Sequence, residues 1–172
     1  MNAFDTAFKL IIATEGKYVN HPDDKGGETK YGITLQTARQ NGYHGNMKDM
    51  TLDQAKAIYK SQYWDMMRLD DIAKLSESIA IELFECGVNM GVLTSSVFLQ
   101  RALNVIPSIK LEVDGIIGTQ TLKTLETVCK LWMSSILKMI NSQQCVRYME
   151  IVERNPSQAI FLKGWINKRV SL

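Results

Sequence analysis

This sequence has few of the residues that build cross-linked or metal-dependent sites. It has three cysteines in 172 residues, Cys86, Cys129 and Cys145. An odd number with no Cys-x-x-Cys pair argues against a disulfide framework or a zinc site and points to folding in a reducing compartment. Cys86 lies in the apolar run IAIELFECGV and reads as a small buried hydrophobe, which disfavours a Cys–His nucleophile pair. The two histidines, His21 and His44, have no i, i+4 partner. His21 stands close to Asp23 and Asp24, which leaves a metal open there, but the expectation is no metal and no cofactor. There is no G-x-S-x-G elbow, and no phosphate-cradling glycine loop precedes a helix. Long hydrophobic runs are also missing. The longest, LWMSSILKMI at 131–140, is broken by Lys138 and is too short to span a bilayer. The N-terminus has Asp5 and only Leu10-Ile11-Ile12 as an apolar run, so no signal peptide is read, and a cytoplasmic location until release is expected.

What is present suits a soluble globular chain. The hydrophobic fraction is 45% and the charged fraction 22%. The length suits one domain or two small lobes sharing a core. Net charge is +2, unevenly spread. From residue 130 onward, seven Lys/Arg face only Glu150 and Glu153, a surplus of five, which leaves −3 on the first 129 residues. A basic C-terminal third favours an anionic partner, such as an envelope polymer or a nucleic acid. A solvated helix face would look the same.

The pattern is mainly α. Residues 4–15 read as an amphipathic helix: at roughly 100° per residue, Phe4, Phe8, Ile11, Ile12 and Glu15 share one arc. Gly16 should end it. Residues 17–34 mix Pro22, Gly26-Gly27 and Gly32 with Tyr18, Val19, Thr29, Tyr31 and Ile33, and read as turns and short irregular strands. Thr51-x-x-Gln54 is a capping box opening a helix with Leu52, Ala55, Ile58 and Tyr59 on one face. Further helices are expected at about 77–88, with Ile79, Leu83 and Phe84 inward, and at about 94–104. Met66, Met67 and Met90 read as core. In VDGIIGTQTL, Asp114-Gly115 is a turn and Thr119 can cap the following helix. Helix then runs to about Glu153, pauses at Asn155-Pro156 and resumes near 160–169. The expected architecture is α+β, helical with one small irregular β region near 17–34.

Glu15 is the first candidate for chemistry. It sits at a helix C-terminus, the negative end of the macrodipole, and on an apolar stripe. Both disfavour the charged form, so its pKa should rise, as a general acid near neutral pH requires. A helix-ending Glu whose carboxylate reaches water shows the same pattern. Asp24 follows nine residues later across a turn-rich loop that can fold back to present a second carboxylate, the pair a glycosidase needs. Asp23 and Glu28 compete for that place, and Thr29 could hold water. Aspartates after Pro22 also serve simply as turn residues.

Together the stretches Glu15-Gly16-Lys17-Tyr18-Val19-Asn20 and Gly26-Gly27-Glu28-Thr29-Lys30-Tyr31-Gly32-Ile33-Thr34 resemble the N-terminal signature of glycoside hydrolase family 108. These are peptidoglycan-cleaving muramidases of phage endolysins and bacterial secreted lysins. Lys17 departs from the more usual Gly. FECGVNMG (84–91), FLQRAL (98–103), VDGIIGTQTL (113–122) and RYMEI…FLKGWINKRV (147–170) resemble the C-terminal, peptidoglycan-binding half of the same proteins. The resemblance implies a lysozyme-like fold, with a catalytic region over 1–92 and a helical peptidoglycan-binding-like region over 93–172, packed as one compact unit. It implies hydrolysis of the β-1,4 bond between N-acetylmuramic acid and N-acetylglucosamine, with Glu15 as general acid. The order of Glu, Asp and Thr in phage-type lysozymes places the other roles on Asp24 and Thr29.

Under that reading Tyr18, Glu28, Tyr31 and Asn89 are candidates for lining the sugar groove. For Asn89, in GVNMG, a helix C-cap is the equal alternative. A carboxyl separation of roughly 6.5–9.5 Å would make the enzyme inverting, and about 5–5.5 Å retaining. The expected partner is the peptidoglycan glycan strand, with the basic C-terminal third touching an anionic envelope. The expected protein is a monomer, held in the host cytoplasm until a holin admits it to the wall. The runner-up is a non-catalytic peptidoglycan-binding protein. A nucleic-acid-binding reading has only Trp132, Tyr148 and Trp165 among the basic residues to support it, and the mean charge is low for a phosphate footprint.

Overall fold

The structure, a computed structural model, describes residues 2–15, 18 and 27–170; the side chains of Thr14 and Glu15 are not described. It is 75% helical with one two-stranded sheet. Its contacts fall into two compact units, Met1–Met66 and Met67–Leu172. The chain thus divides before α4, whereas the sequence reading divided it between 92 and 93.

The first unit opens with α1, Ala3–Glu15. Asn2 caps it: its Oδ1 accepts from Asp5 N at 2.8 Å. Ala3, Phe4, Ala7, Phe8 and Ile11 form its buried stripe. Phe4 meets Trp64 edge-on at 5.2 Å between centroids, and Phe8 meets Tyr59 at 5.7 Å. Two short strands follow, β1 (Thr29–Lys30) and β2 (Ile33–Thr34), antiparallel with Thr29 opposite Thr34 and Lys30 opposite Ile33. The connecting Tyr31 and Gly32 both have positive φ, +52° and +75°, as a type I′ turn demands. Thr34 then caps α2, Leu35–Gln40, by accepting from Thr37 N at 3.2 Å.

A 3-10 turn, Met47–Asp49, leads to α3, Leu52–Tyr59. The capping box forms as expected: Gln54 N donates to Thr51 Oγ1 at 3.2 Å and Thr51 N to Gln54 Oε1 at 2.8 Å. Ala55, Ile58 and Tyr59 turn inward, but Leu52, expected beside them, stays 44% exposed, because it occupies the first turn, beyond the reach of the core. At Lys60 the helix widens into a π-turn, Lys60–Trp64. The extra residue per turn rotates the following positions. Trp64 is thereby fully buried, while Met66, expected in the core, is left 65% exposed.

The second unit consists of α4 (Leu69–Leu75), α5 (Glu77–Met90), α6 (Val92–Asn104), α7 (Thr119–Arg154), a 3-10 turn at Pro156–Gln158 and α8 (Ala159–Arg169). Ser76 caps α5, and Met67, Ile79, Leu83, Phe84 and Cys86 are buried as expected. Gly91, φ +91°, ends α5 and starts α6. Asn89 is therefore not the C-cap: it lies inside α5 and its Nδ2 donates to Glu85 O at 2.8 Å. The Asp114-Gly115 turn forms and is clasped by buried Gln100. Its Nε2 donates to Asp114 Oδ1 at 2.7 Å and Ile116 O at 3.0 Å, and Gly115 N donates to its Oε1 at 2.7 Å. Thr119 is the first helical residue of α7 and makes no cap; extended Gly118 holds that place. At 36 residues α7 is long, about 54 Å at 1.5 Å per residue. α8 buries none of its residues and is held through Trp165, stacked on buried Tyr148 at 5.1 Å. No helix among the described residues is long and apolar enough to cross a membrane.

Candidate active site

Of the sequence candidates, Glu28, Thr29 and Tyr31 lie at the hairpin, and Tyr18 is tied to it through Glu28. Glu15 is the last residue of α1, one turn beyond buried Ile11 and two beyond Phe8, so its backbone position continues the buried stripe. Its side chain, Gly16, Lys17, His21, Asp23 and Asp24 lie outside the described residues, and so do the expected pKa rise and the separation of the carboxyls.

Around the hairpin the geometry is explicit. The Tyr18 hydroxyl donates to Glu28 Oε1 at 2.7 Å. The Glu28 carbonyl accepts from Leu35 N at 2.8 Å, which ties the residue before β1 to the start of α2. Thr29, half-buried, donates its hydroxyl to Gly27 O at 3.4 Å. Tyr31 holds a left-handed backbone that costs a residue with a Cβ about 1–2 kcal/mol. The buried Tyr59 answers it from α3, donating its hydroxyl to Tyr31 O at 3.0 Å. Two lysines complete the cluster. Lys30 Nζ lies 5.3 Å from the Tyr31 ring centroid, and Lys48 Nζ lies 5.5 Å from that of Tyr18. Lys30 also donates to Lys48 O.

Tyr18, Glu28, Thr29 and Tyr31 therefore belong to one neighbourhood built by the hairpin, α3 and the Met47–Asp49 turn. Phenol rings, ammonium groups and a carboxylate on one face can stack against and hydrogen-bond a polar, hydroxyl-rich ligand. Glu28 spends Oε1 on holding Tyr18, which suits a positioning or substrate-binding part. Asn89 belongs to the second unit, with its amide turned to its own helix. Lys48 was not singled out in the sequence and Tyr59 was read only as a core-facing residue of its helix: neither lies within the motif, and only the fold brings them to it.

The second unit contains a titratable cluster that motif reading also missed. Glu82 on α5 is only 8% exposed. Burial pushes its carboxyl up to about 7, the hydrogen bond from Asn141 opposes the rise, and the charge of Glu85 adds to it. Gln144, its amide oriented to donate, reaches Glu82 Oε1 at 3.2 Å and Arg169 O at 2.8 Å. Burial raises Glu85 as well, against the pull of Arg169, and pushes the Cys86 thiol up to about 12. The signal in the sequence was an acid, Glu82, flanked by Ile81 and Leu83 and three residues after inward-facing Ile79. Among the described residues no group of three or more His, Cys, Asp or Glu is placed to share a metal ion.

Comparison with known proteins divides the chain between 91 and 94, not at the 66/67 boundary of the compact units. Residues 8–91 match the model of glycosyl hydrolase 108, and residues 94–170 match that of a predicted peptidoglycan domain. A solved structure, that of Brucella abortus SagA, is similar over 96% of this chain and 88% of its own, with 26% identity and a TM-score of 0.73. No curated protein matches. The mainly α architecture with its small hairpin is lysozyme-like. Through residues 8–91 the chain belongs to glycosyl hydrolase family 108, a family of glycoside hydrolases, and it carries a predicted peptidoglycan domain behind them.

Proposed function

We propose that this protein is a muramidase that hydrolyses the β-1,4 bond between N-acetylmuramic acid and N-acetylglucosamine. The family match over residues 8–91 carries the reading, because that span contains both the Glu15-Gly16-Lys17-Tyr18 element and the Gly26–Thr34 element. Glu15 protonates the glycosidic oxygen as it leaves. Asp24 polarises the attacking water, with the Thr29 hydroxyl beside it. Tyr18, Glu28 and Tyr31 line the sugar groove, with Glu28 orienting the Tyr18 ring through the 2.7 Å hydrogen bond. The mechanism needs no cofactor. The protein works as a monomer of the endolysin type, kept in the host cytoplasm until a holin admits it to the wall.

The test is release of muropeptides from purified cell wall, followed by mass spectrometry. Wild type should clear the suspension and yield reducing muramic acid ends, and Glu15→Gln should slow clearing by at least a hundredfold. Equal clearing by both proteins removes Glu15 from the acid role, and reducing glucosamine ends or cleaved amides overturn the muramidase reading. The predicted peptidoglycan domain over 94–170 favours one second reading, a wall-binding protein without turnover. Retention on wall with no clearing by wild type is its signature.

A further inference from the structure

Two ammonium groups beside the hairpin have no counter-ion. Lys48 lies in the Met47–Asp49 turn, where Met47 and the following Met50 are 0% and 1% exposed. The two buried methionines pin the turn, and Asn46 caps it by accepting from Lys48 N at 2.9 Å. The Lys48 side chain is left on the surface. Lys30, at the end of β1, reaches the same turn and donates to Lys48 O. Both ammonium groups rest near phenol rings, Lys48 by Tyr18 and Lys30 by Tyr31. Lys56, Lys60 and Lys74 are each held by an aspartate. Lys30 and Lys48 form no ion pair among the described residues. Glu28, the acid of this neighbourhood, turns its Oε1 to the Tyr18 hydroxyl instead.

A ring face compensates an ammonium only in part. The phenols assigned to the sugar groove are therefore flanked by two unpaired positive charges, and such a pair attracts a ligand that carries a carboxylate. N-acetylglucosamine has none. N-acetylmuramic acid differs from it by one lactyl ether, which ends in a carboxylate or, through an amide, in a peptide with carboxylates of its own. We propose that Lys30 and Lys48 read the carboxylate borne by the muramic acid residue, and so set a preference for peptidoglycan over uncharged β-1,4-linked N-acetylglucosamine chains. The inference rests on the muramidase reading of this groove and adds to it the residues that discriminate by charge. Lysines that merely braced Tyr18 and the hairpin would be indifferent to the charge of the ligand, and that difference is measurable.

The experiment titrates the full-length protein with two disaccharides that differ only in the lactyl group, N-acetylglucosaminyl-N-acetylmuramic acid and di-N-acetylchitobiose, followed by heteronuclear NMR. Neither contains the bond from N-acetylmuramic acid to N-acetylglucosamine, so binding is read apart from turnover. The stem-bearing disaccharide and its amidated form complete the set. Wild type should bind the acid disaccharide about tenfold more tightly than chitobiose at low ionic strength, with shifts at Tyr18, Lys30, Tyr31 and Lys48. Salt at about 0.5 M should remove most of the preference. Lys48→Met should lose about threefold for the acid disaccharide, the double variant Lys30→Met/Lys48→Met should bind both sugars alike, and Lys30→Arg/Lys48→Arg should keep the preference. Circular dichroism checks folding; Lys48 Nζ makes no hydrogen bond among the described residues, so Lys48→Met decides the matter if the double variant unfolds. A preference for the stem-free acid supports the proposal with the lactyl carboxylate as ligand. A preference confined to the stem-bearing sugar and abolished by amidation supports it with the peptide carboxylates. Equal binding of acid and neutral sugars by wild type, a preference that survives the methionine variants, shifts elsewhere only, or no binding of any acid sugar overturns it. A wild type that clears cell wall but ignores ligand charge refutes this inference alone. One that selects the acid sugar but leaves wall glycan intact refutes the muramidase reading alone.

Discussion

The replacement Glu82→Gln tests the buried cluster of the second unit. Glu82 has a carboxyl raised from 4.5 to about 7, chiefly because it is buried on α5. The fold therefore favours the neutral acid. Below pH 4.5 the group is protonated whether folded or unfolded and costs nothing. As the pH climbs toward 7 the unfolded chain ionises it freely while the folded chain resists, so stability falls across that window. Linkage with these two values gives a cost of about 1 kcal/mol at pH 5 and about 3 kcal/mol at pH 8. Glutamine has nearly the same shape as the protonated acid and does not titrate. Urea unfolding of wild type and Glu82→Gln at both pH values is the assay. The variant should gain about 2 kcal/mol on wild type between pH 5 and pH 8. A stability difference that is the same at both pH values would show that Glu82 is ionised in the fold, and the burial argument would be refuted.

Two further substitutions probe the turns. Gly115 has φ +76°, and a Cβ there would stand 2.7 Å from Leu93 Cδ1. Gly115→Ala should cost about 1–2 kcal/mol from backbone strain alone, read as a lower urea midpoint; an unchanged midpoint would mean that the turn relaxes. Tyr59→Phe removes the hydroxyl that holds Tyr31 O. It should destabilise the protein by about 1 kcal/mol and shift the amide resonances of Tyr31 and Gly32; a spectrum unchanged at those residues would show that the left-handed Tyr31 needs no such support.

Much of the helical framework was legible because each local signal has a local cause. The Thr51 capping box, the Asp114-Gly115 turn and the stripe of Phe4, Phe8 and Ile11 depend on neighbours within a turn or two. Where the reading failed, tertiary context had intervened. Met66 was expected inside, but the π-turn at Lys60–Trp64 rotates the chain so that Trp64 takes the core and Met66 faces solvent. For Asn89 a cap was the equal alternative to a groove contact, and Gly91 takes the cap because it adopts φ +91° without a Cβ penalty. Thr119 could have capped α7, but the preceding Gly118 already holds the extended conformation.

The sequence by itself determined the helical class, the early glycine-rich break, the family and the order of the candidate residues from Glu15 to Thr29. Those properties follow from periodicity and motif, which are carried along the chain. Only the tertiary structure decided that Glu28 holds Tyr18, that Tyr59 steadies Tyr31, and that Glu82 is buried among Asn141, Gln144, Glu85 and Arg169. Most of these partners are 10 to 87 residues apart in the chain, a spacing that no local pattern encodes. Burial and hydrogen bonding depend on which atoms meet, and the packing of the elements sets that.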